Sequence, residues 1–80
     1  MKIDFTDRVL DALEDAPPAV QKAFRKQIRF LAGDLHHPSL HAKKYDEARG
    51  LWQARVNDDW RFYFRIVGDI YRLEEIKRHP

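Results

Sequence analysis

The clearest hydrophobic pattern lies between Leu51 and Val67, where apolar and polar residues alternate on both sides of the turn Asn57–Asp59. Alternation places every second side chain on one face of a strand, so the segment is predicted to form a β-hairpin. The apolar face, which must pack against another element, consists of Trp52, Ala54, Val56, Trp60, Phe62, Phe64 and Ile66. The polar face consists of Gln53, Arg55, Arg61, Tyr63 and Arg65. Its guanidinium groups suit phosphate binding, because each can grip two oxygens and stays charged.

Two helices are predicted ahead of the hairpin. The first begins after Thr6, a residue that can cap a helix, and ends at Pro17-Pro18. The second runs from Ala19 to about Gly33. Its predicted buried stripe consists of Val20, Ala23, Phe24, Gln27, Ile28 and Leu31, and its exposed side of Lys22, Lys26 and Arg29. The short connection indicates that the two helices lie antiparallel.

The remaining strands complete the predicted fold. Lys2–Phe5 can form a short strand, and the segment from Lys43 to Tyr45 begins a strand or enters one. After a turn at Gly68-Asp69, a last strand runs from Ile70 to about Lys77. Its apolar residues Leu73 and Ile76 have opposite parity, so either a β-bulge lies between them or both faces are partly covered, and we expect the bulge.

The order of these elements predicts an α+β fold. We expect a short N-terminal strand, a two-helix hairpin and a three-stranded antiparallel meander, with both helices on one sheet face. The central strand is predicted near Trp60–Val67, with Trp60, Phe62 and Phe64 buried against Val20, Phe24 and Leu31.

Composition narrows the classes of protein. A chain of 80 residues is expected to form one domain spanning 1–80, and 44% hydrophobic with 12% aromatic residues favours a folded globule. The absence of cysteine excludes disulfides and thiolate metal sites. Three loop histidines, His36, His37 and His41, have only a loose metal-like spacing, so neither a metal nor another cofactor is expected.

Location and charge give weaker indications. No apolar run approaches the roughly 20 residues that span a bilayer, and the start of the chain lacks the apolar stretch of a secretory signal. We therefore expect a cytoplasmic protein with no membrane partner. The net charge of +2 is too small to indicate nucleic-acid binding by itself.

Three segments resemble the RelE/ParE superfamily of toxins from type II toxin–antitoxin pairs: Gly50–Val56, Trp60–Phe64 and Ile76–His79. The stretch from Gly50 to Pro80 resembles the YoeB branch without a gap, and Asp59-Trp60 resembles the YafQ branch. In those branches an arginine of the second hairpin strand and a histidine near the C-terminus are functional. These positions fall on Arg61 and His79.

The resemblance implies ribosome-dependent cleavage of messenger RNA without a metal. The ribose 2′-OH attacks the adjacent phosphorus, so a base must take its proton, an acid must protonate the leaving 5′-oxygen, and cations must stabilise the phosphoryl oxygens. Arg61 would hold the phosphate with Arg55 as a second cation, and His79 would act as the acid because imidazole ordinarily titrates near neutral pH. Lys44 or Lys43 would assist at the 2′-OH. Further RNA contacts are expected from Lys43, Tyr63, Arg65, Lys77 and Arg78.

The sequence departs from the YoeB pattern at the general base. The glutamate of that branch aligns with Ala42, so this role cannot be transferred. Lys43 or Lys44 could take it directly or lower the pKa of another base, and His41 could correspond to an upstream histidine of the YafQ branch. The base remains open among these residues.

The resemblance also implies partners and alternatives. Expected partners are a cognate antitoxin and mRNA on the ribosome, in a homodimer or a toxin–antitoxin hetero-oligomer. A ParE-like toxin would instead inhibit DNA gyrase by binding it, and a non-catalytic module of the same fold would bind protein or RNA without cleavage. Cleavage requires Arg55, Arg61 and His79 to converge, whereas gyrase binding does not.

Overall fold

A computed structural model describes residues 1–80 and contains two α-helices and five β-strands. In chain order these are β1 (Lys2–Phe5), α1 (Asp7–Glu14), α2 (Pro18–Gly33), β2 (Lys43–Asp46), β3 (Leu51–Arg55), β4 (Trp60–Val67) and β5 (Ile70–Arg78). A single 3₁₀ turn, Pro38–Leu40, separates α2 from β2. The predicted α+β fold is confirmed, as are the N-terminal strand, the helix pair and the hairpin.

The sheet is mixed and has the strand order β1-β5-β4-β3-β2. Strands β3, β4 and β5 form the predicted antiparallel meander, with β4 at the centre of the sheet. The description as a three-stranded meander was incomplete, because β2 adds an antiparallel strand at one edge and β1 pairs parallel to β5 at the other. Parallel neighbours need a long connection, and here the whole remainder of the chain separates β1 from β5.

The bulge predicted in the last strand lies at Glu74. Tyr63 of β4 pairs with Glu75, whereas the next residue, Phe64, pairs with Leu73, so Glu74 is the extra residue. Because one residue is inserted, Leu73 and Ile76 both face the core despite their opposite parity.

Both helices pack on one face of the sheet, called the helix face, which carries Ala54, Phe62, Phe64, Leu73 and Ile76. The rings of Phe24 and Phe62 form a T-shaped pair with 5.4 Å between centroids. The Thr6 side chain caps α1 by accepting from the Val9 amide at 3.3 Å and also donates to the Leu73 carbonyl at 2.6 Å, so it ties α1 to β5.

The predicted core is confirmed with two corrections. Phe62 and Phe64 are fully buried together with Val20, Phe24 and Leu31. Trp60 is only half-buried, because it begins β4 at the end of the sheet. Ile66, placed on the apolar face, is exposed because it lies near the β4–β5 turn, outside the cluster that the helices cover.

The opposite face, called the outer face, carries Gln53, Arg55, Arg61, Tyr63 and Arg65, in agreement with the alternation of the hairpin. Neither helix combines the length and the apolar composition needed to cross a membrane. The structure also contains no group of three or more His, Asp or Glu side chains placed to hold a metal ion.

Candidate functional site

A cleft of about 580 Å³ lies where β2, β3, β4 and the C-terminal end of β5 come together. Its lining consists of His41, Ala42, Lys43, Gln53, Ala54, Arg55, Arg61 and His79. Three cationic side chains and two imidazoles therefore surround one open space, and no carboxylate lines it. The three residues whose convergence distinguishes cleavage from gyrase binding, Arg55, Arg61 and His79, all reach this cleft.

Strand pairing places the two arginines side by side. Arg55 of β3 lies directly opposite Arg61 of β4, on the outer face. Facing residues of antiparallel strands are about 4.5–5.5 Å apart at Cβ, so both guanidinium groups can reach one phosphate. Like charges placed opposite each other repel, so the pair also favours an anion between them.

Arg61 is anchored by the turn that precedes β4. Its Nη1 donates to the carbonyl oxygens of Asn57 at 2.6 Å, Trp60 at 3.0 Å and Asp58 at 3.4 Å. These bonds occupy one guanidinium nitrogen with neutral acceptors. The charge of Arg61 is therefore not cancelled, and its other two nitrogens can donate to a ligand.

Arg55 is neutralised by the same turn. Its Nη2 is hydrogen-bonded and ion-paired to the Asp58 carboxylate. The Asp58 side chain is 88% exposed, whereas that of Arg55 is 37% exposed. The turn itself is held by Asn57, whose Oδ1 accepts from the amides of Asp59 and Trp60, both at 2.9 Å. Asp58 is thus free to leave Arg55 without unfolding the turn.

His79 is held in place although it lies one residue from the C-terminus. Its backbone amide donates to the Asp59 carbonyl at 2.6 Å. This contact continues the pairing of β4 with β5 by one residue beyond the pair Trp60–Arg78. This bond brings the imidazole to the cleft. The same turn therefore positions Arg61, Arg55 and His79.

His41 approaches the cleft from the other side. It follows the 3₁₀ turn and adopts a left-handed backbone conformation, with φ of 47°. Non-glycine residues rarely adopt this conformation, which here ends the 3₁₀ turn ahead of β2. Both His41 and Lys43 line the cleft.

A buried polar cluster fixes the distance between the segment before His41 and the end of β3, which lie on two sides of the cleft. The Gln27 side chain on α2 is only 3% exposed, and its Nε2 donates to the carbonyls of Ser39 at 2.9 Å and Arg55 at 2.8 Å. The Ser39 hydroxyl in turn donates to Gln27 Oε1 at 2.9 Å. One helix residue therefore joins the segment before His41 to the end of β3.

The structure separates the two lysines proposed for the 2′-OH. Lys43 pairs with Gln53 and lines the cleft. Lys44 pairs with Trp52, and its Nζ lies 5.4 Å from the Trp52 ring centroid on the helix face. Neighbouring strand residues point to opposite faces, so the structure brings Lys43 to the cleft and places Lys44 away from it.

The predicted RNA-binding residues are dispersed. Lys77 pairs with Arg61 beside the cleft, and its Nζ lies 5.1 Å from the Tyr63 ring centroid. Arg78 pairs with Trp60 and lies outside the cleft lining. Arg65 lies at the other end of β4, with its Nε 3.5 Å from Glu74.

Tyr63 has little surface for a nucleobase. It is only 3% exposed, Lys77 covers its ring, and its hydroxyl accepts from Gln53 Nε2 at 3.1 Å. Stacking of a base on Tyr63 would require Lys77 and Tyr45 to move away from the ring. In this structure Tyr63 fixes Gln53 beneath the cleft.

Sequence reasoning missed Gln53 and Asp58. Gln53 was assigned to the correct face, but its burial depends on the partner Tyr63. Asp58 carried a usable signal, because it lies three residues after Arg55 across a tight turn, within reach of a side-chain ion pair.

Comparison with known proteins identifies the fold. No protein-family model matches the sequence, and no curated protein matches it. A YoeB/ParE toxin from Agrobacterium tumefaciens is similar in structure, with a TM-score of 0.80 at 17% identity, over 100% of both chains. A chain of the archaeal RelE–RelB complex from Pyrococcus horikoshii gives 0.79 at 17% identity, covering 96% of this chain and 92% of that one.

YafQ from E. coli is also similar, with a TM-score of 0.74 at 15% identity, covering 98% of this chain and 92% of YafQ. All three likenesses extend over nearly the whole of both chains, so they concern the complete arrangement of helices and sheet. The chain therefore has the RelE/ParE-like toxin fold.

Proposed function

We propose that this chain is the toxin of a toxin–antitoxin pair and that it cleaves mRNA on the ribosome without a metal. The observation that carries this proposal is the meeting of Arg55, Arg61, His41 and His79 around one cleft in a RelE/ParE-like fold. These groups supply the cations and proton-transfer side chains that attack by a 2′-OH on a phosphodiester requires.

In the proposed mechanism Arg61 holds the scissile phosphate. Its anchored guanidinium keeps a full charge and two free nitrogens, so it needs little rearrangement when negative charge develops on the phosphoryl oxygens. Arg55 supplies a second cation from the facing position on β3. Lys43 adds positive charge at the edge of the cleft.

Two histidines carry the proton transfers in this proposal. His41 removes the proton of the 2′-OH as its oxygen forms a bond to phosphorus. His79 donates a proton to the 5′-oxygen as the bond between that oxygen and phosphorus breaks. The products are a 2′,3′-cyclic phosphate and a free 5′-hydroxyl, so the step consumes no water. His41 precedes β2 and His79 follows β5, so the two imidazoles reach the cleft from different elements. This placement supports their opposite roles.

The RNA strand follows the cations on the outer face. Lys43 and Lys77 lie next to the cleft and contact the neighbouring phosphates. Arg65 lies farther along β4 on the same face, and Arg78, whose partner Trp60 belongs to the apolar face of the hairpin, contributes from the end of β5. Such contacts set affinity and salt dependence rather than sequence preference.

The proposed protein partner is an antitoxin. The similar archaeal protein was crystallised as a RelE–RelB complex, which supports this pairing. A matching surface is an apolar groove of about 270 Å³ between the helices, lined by Phe5, Leu10, Leu13, Phe24 and Ile28 with Arg25 at its rim. An amphipathic antitoxin segment with acidic flanking residues fits both the apolar lining and the arginine. A toxin–antitoxin hetero-oligomer is the expected resting form.

The test is cleavage of a defined mRNA by the purified protein with ribosomes, mapped by primer extension. Removing one charge-stabilising group typically slows an enzyme by about 10²–10³, so Arg61→Ala should reduce the rate to this extent. Arg61→Lys should restore only part of it, because an ammonium lacks the two-pronged grip. Arg49→Ala is the matched control, since Arg49 is an exposed arginine outside the cleft.

His79→Ala and His41→Ala should each slow cleavage, with the exposed His36→Ala as control. Undiminished cleavage by both Arg61→Ala and His79→Ala would reject the nuclease mechanism. Growth arrest without mRNA cleavage would then favour gyrase binding, and absence of both activities would favour a non-catalytic module.

A further inference from the structure

We infer that Asp58 is a built-in competitor of the RNA phosphate: its carboxylate occupies Nη2 of the Arg55 guanidinium and must be displaced before Arg55 can grip a phosphate with both terminal nitrogens. This inference rests on the proposed function and concerns one residue of the hairpin turn that lies outside the catalytic set. It makes Asp58 a residue that lowers affinity for RNA in the free protein.

The first observation is that the two arginines have different hydrogen-bond partners. Arg61 is held only by neutral carbonyl oxygens of the turn, whereas Arg55 is paired with a carboxylate from the same turn. A carboxylate and a phosphate present similar pairs of oxygens to a guanidinium. Asp58 therefore occupies the type of position on Arg55 that a phosphodiester would take.

The second observation is that Asp58 can leave at small cost. Its side chain is 88% exposed, and an exposed ion pair is weak because water and salt screen it. The turn does not depend on the Asp58 carboxylate, since Asn57 Oδ1 accepts both the Asp59 and the Trp60 amide. Rotation of one side chain into solvent is sufficient to expose Arg55.

The third observation concerns charge balance without substrate. Arg55 and Arg61 face each other across β3 and β4, and Lys77 pairs with Arg61 in the next strand. Asp58 reduces the repulsion in this row of cations. A phosphate bound between the arginines would take over that function, so Asp58 and phosphate are alternative partners of one cationic row.

The experiment measures binding separately from cleavage. The probe is a fluorescein-labelled single-stranded RNA in which every ribose is 2′-O-methylated, so that no free 2′-OH can attack. Fluorescence anisotropy gives the dissociation constant of the wild type, Asp58→Asn and Asp59→Asn. Both variants remove one negative charge from adjacent exposed positions of the turn, but only Asp58 pairs with Arg55.

We expect Asp58→Asn to bind this RNA about two- to fivefold more tightly than Asp59→Asn, the range set by the strength of exposed ion pairs. In an Arg55→Gln background the difference between the two variants should disappear, because the competitor then has no cation to occupy. Inorganic sulfate should compete with the RNA more effectively in Asp58→Asn than in the wild type.

Three results would overturn the inference. Equal affinities of the Asp58→Asn and Asp59→Asn proteins would show only a general charge effect. Weaker binding by Asp58→Asn would show that the carboxylate orients Arg55 for RNA. Absence of RNA binding by all variants would remove the competition altogether. The proposed function is tested separately by the loss of ribosomal cleavage in Arg61→Ala. If that loss is seen while Asp58→Asn and Asp59→Asn bind RNA equally, the role of Asp58 is rejected and the proposed function stands.

Discussion

At the scale of single residues, Tyr71 is a buried titratable group outside the cleft. Its ring forms a T-shaped pair with Phe64, with 5.6 Å between centroids. Burial raises the pKa of the Tyr71 phenol above its ordinary value of 10.0, and the negative charge of Asp34 raises it further. The folded protein therefore holds the phenolic proton more tightly than the unfolded chain does.

This shift predicts a loss of stability in alkali. Below about pH 10 the phenol is neutral in both states and contributes no pH dependence. As the pH rises from there towards the folded pKa, the unfolded chain loses the proton first, so ionisation favours unfolding. Urea denaturation between pH 8 and pH 11 should show the free energy of unfolding falling more steeply for the wild type than for Tyr71→Phe. Parallel curves for the two proteins would contradict this prediction.

Residue-scale reasoning also explains why the sequence left the choice between the two lysines of β2 open. Adjacent strand residues point to opposite faces, so only one of Lys43 and Lys44 can line the cleft. The choice depends on the register of β2 against β3, which shifts between Lys44 and Asp46. A short polar strand carries no hydrophobic alternation that would reveal its register from sequence.

At the scale of elements, the bulge in β5 provides a test of register. Deleting Glu74 would leave Leu73, Glu75, Ile76 and Lys77 in strict alternation, with both apolar residues still facing the helices. Deleting Arg72 would instead keep the bulge and turn either Tyr71 or Leu73 away from the core. Each deletion shortens β5 by one residue, but the Glu74 deletion restores the alternation of apolar and polar residues whereas the Arg72 deletion disrupts it.

We expect the Glu74 deletion to fold, with a modest loss from the exposed contacts of Glu74 to Arg65 and Arg72. The Arg72 deletion should lose about 2–5 kcal/mol, the range for removing a large side chain from a core. Urea denaturation gives both values. Equal losses of unfolding free energy in the two deletions would contradict this prediction. They would mean that the bulge itself, and not the alternation of apolar residues, determines the register of β5.

Much of the element-scale structure could be predicted because local patterns determine it. The alternation in Leu51–Val67 predicted the faces of β3 and β4, the Thr6 cap predicted the start of α1, and the parity of Leu73 and Ile76 predicted the bulge. The edges of the sheet were not predictable in this way. The pairing of β1 with β5 joins opposite ends of the chain, and four-residue strands carry too little pattern to specify a partner.

The candidate site was predictable in part for the same reason. Arg55 and Arg61 follow from strand alternation, and a tight turn implies that they face each other. The roles of Gln27 and Tyr63 depend on contacts between separate elements, such as the hydrogen bond from α2 to the end of β3. Such contacts are set by tertiary packing, which periodicity does not encode.

At the scale of the whole molecule, the proposed catalytic and partner-binding surfaces lie on different elements. The cleft is formed by strands and the turn between β3 and β4, whereas the apolar groove lies between α1 and α2. Only 17 of 80 residues are buried, so the core is small and an added apolar contact would contribute substantially to stability. Separation of the surfaces allows each to be altered without the other.

The last prediction uses that separation to test the antitoxin groove. Leu10 lines the groove and is 46% exposed, so Leu10→Asp places a charge on the proposed interface at little cost to the core. The matched control is Val67→Asp, which puts the same charge on a 50% exposed apolar residue near the β4–β5 turn, outside the groove. A buried unpaired carboxylate at an interface should weaken antitoxin binding by about tenfold or more.

Isothermal titration of each variant with the product of the neighbouring small gene measures this effect, and circular dichroism checks the fold. We expect Val67→Asp to bind the antitoxin like the wild type, and Leu10→Asp to bind weakly while retaining full mRNA cleavage. Such a variant would cleave mRNA even in the presence of antitoxin, because its cleft is unaltered and only its control is lost. Equal antitoxin affinity of the two variants would place the antitoxin elsewhere, with the β2 edge and the cationic outer face as the next surfaces to test.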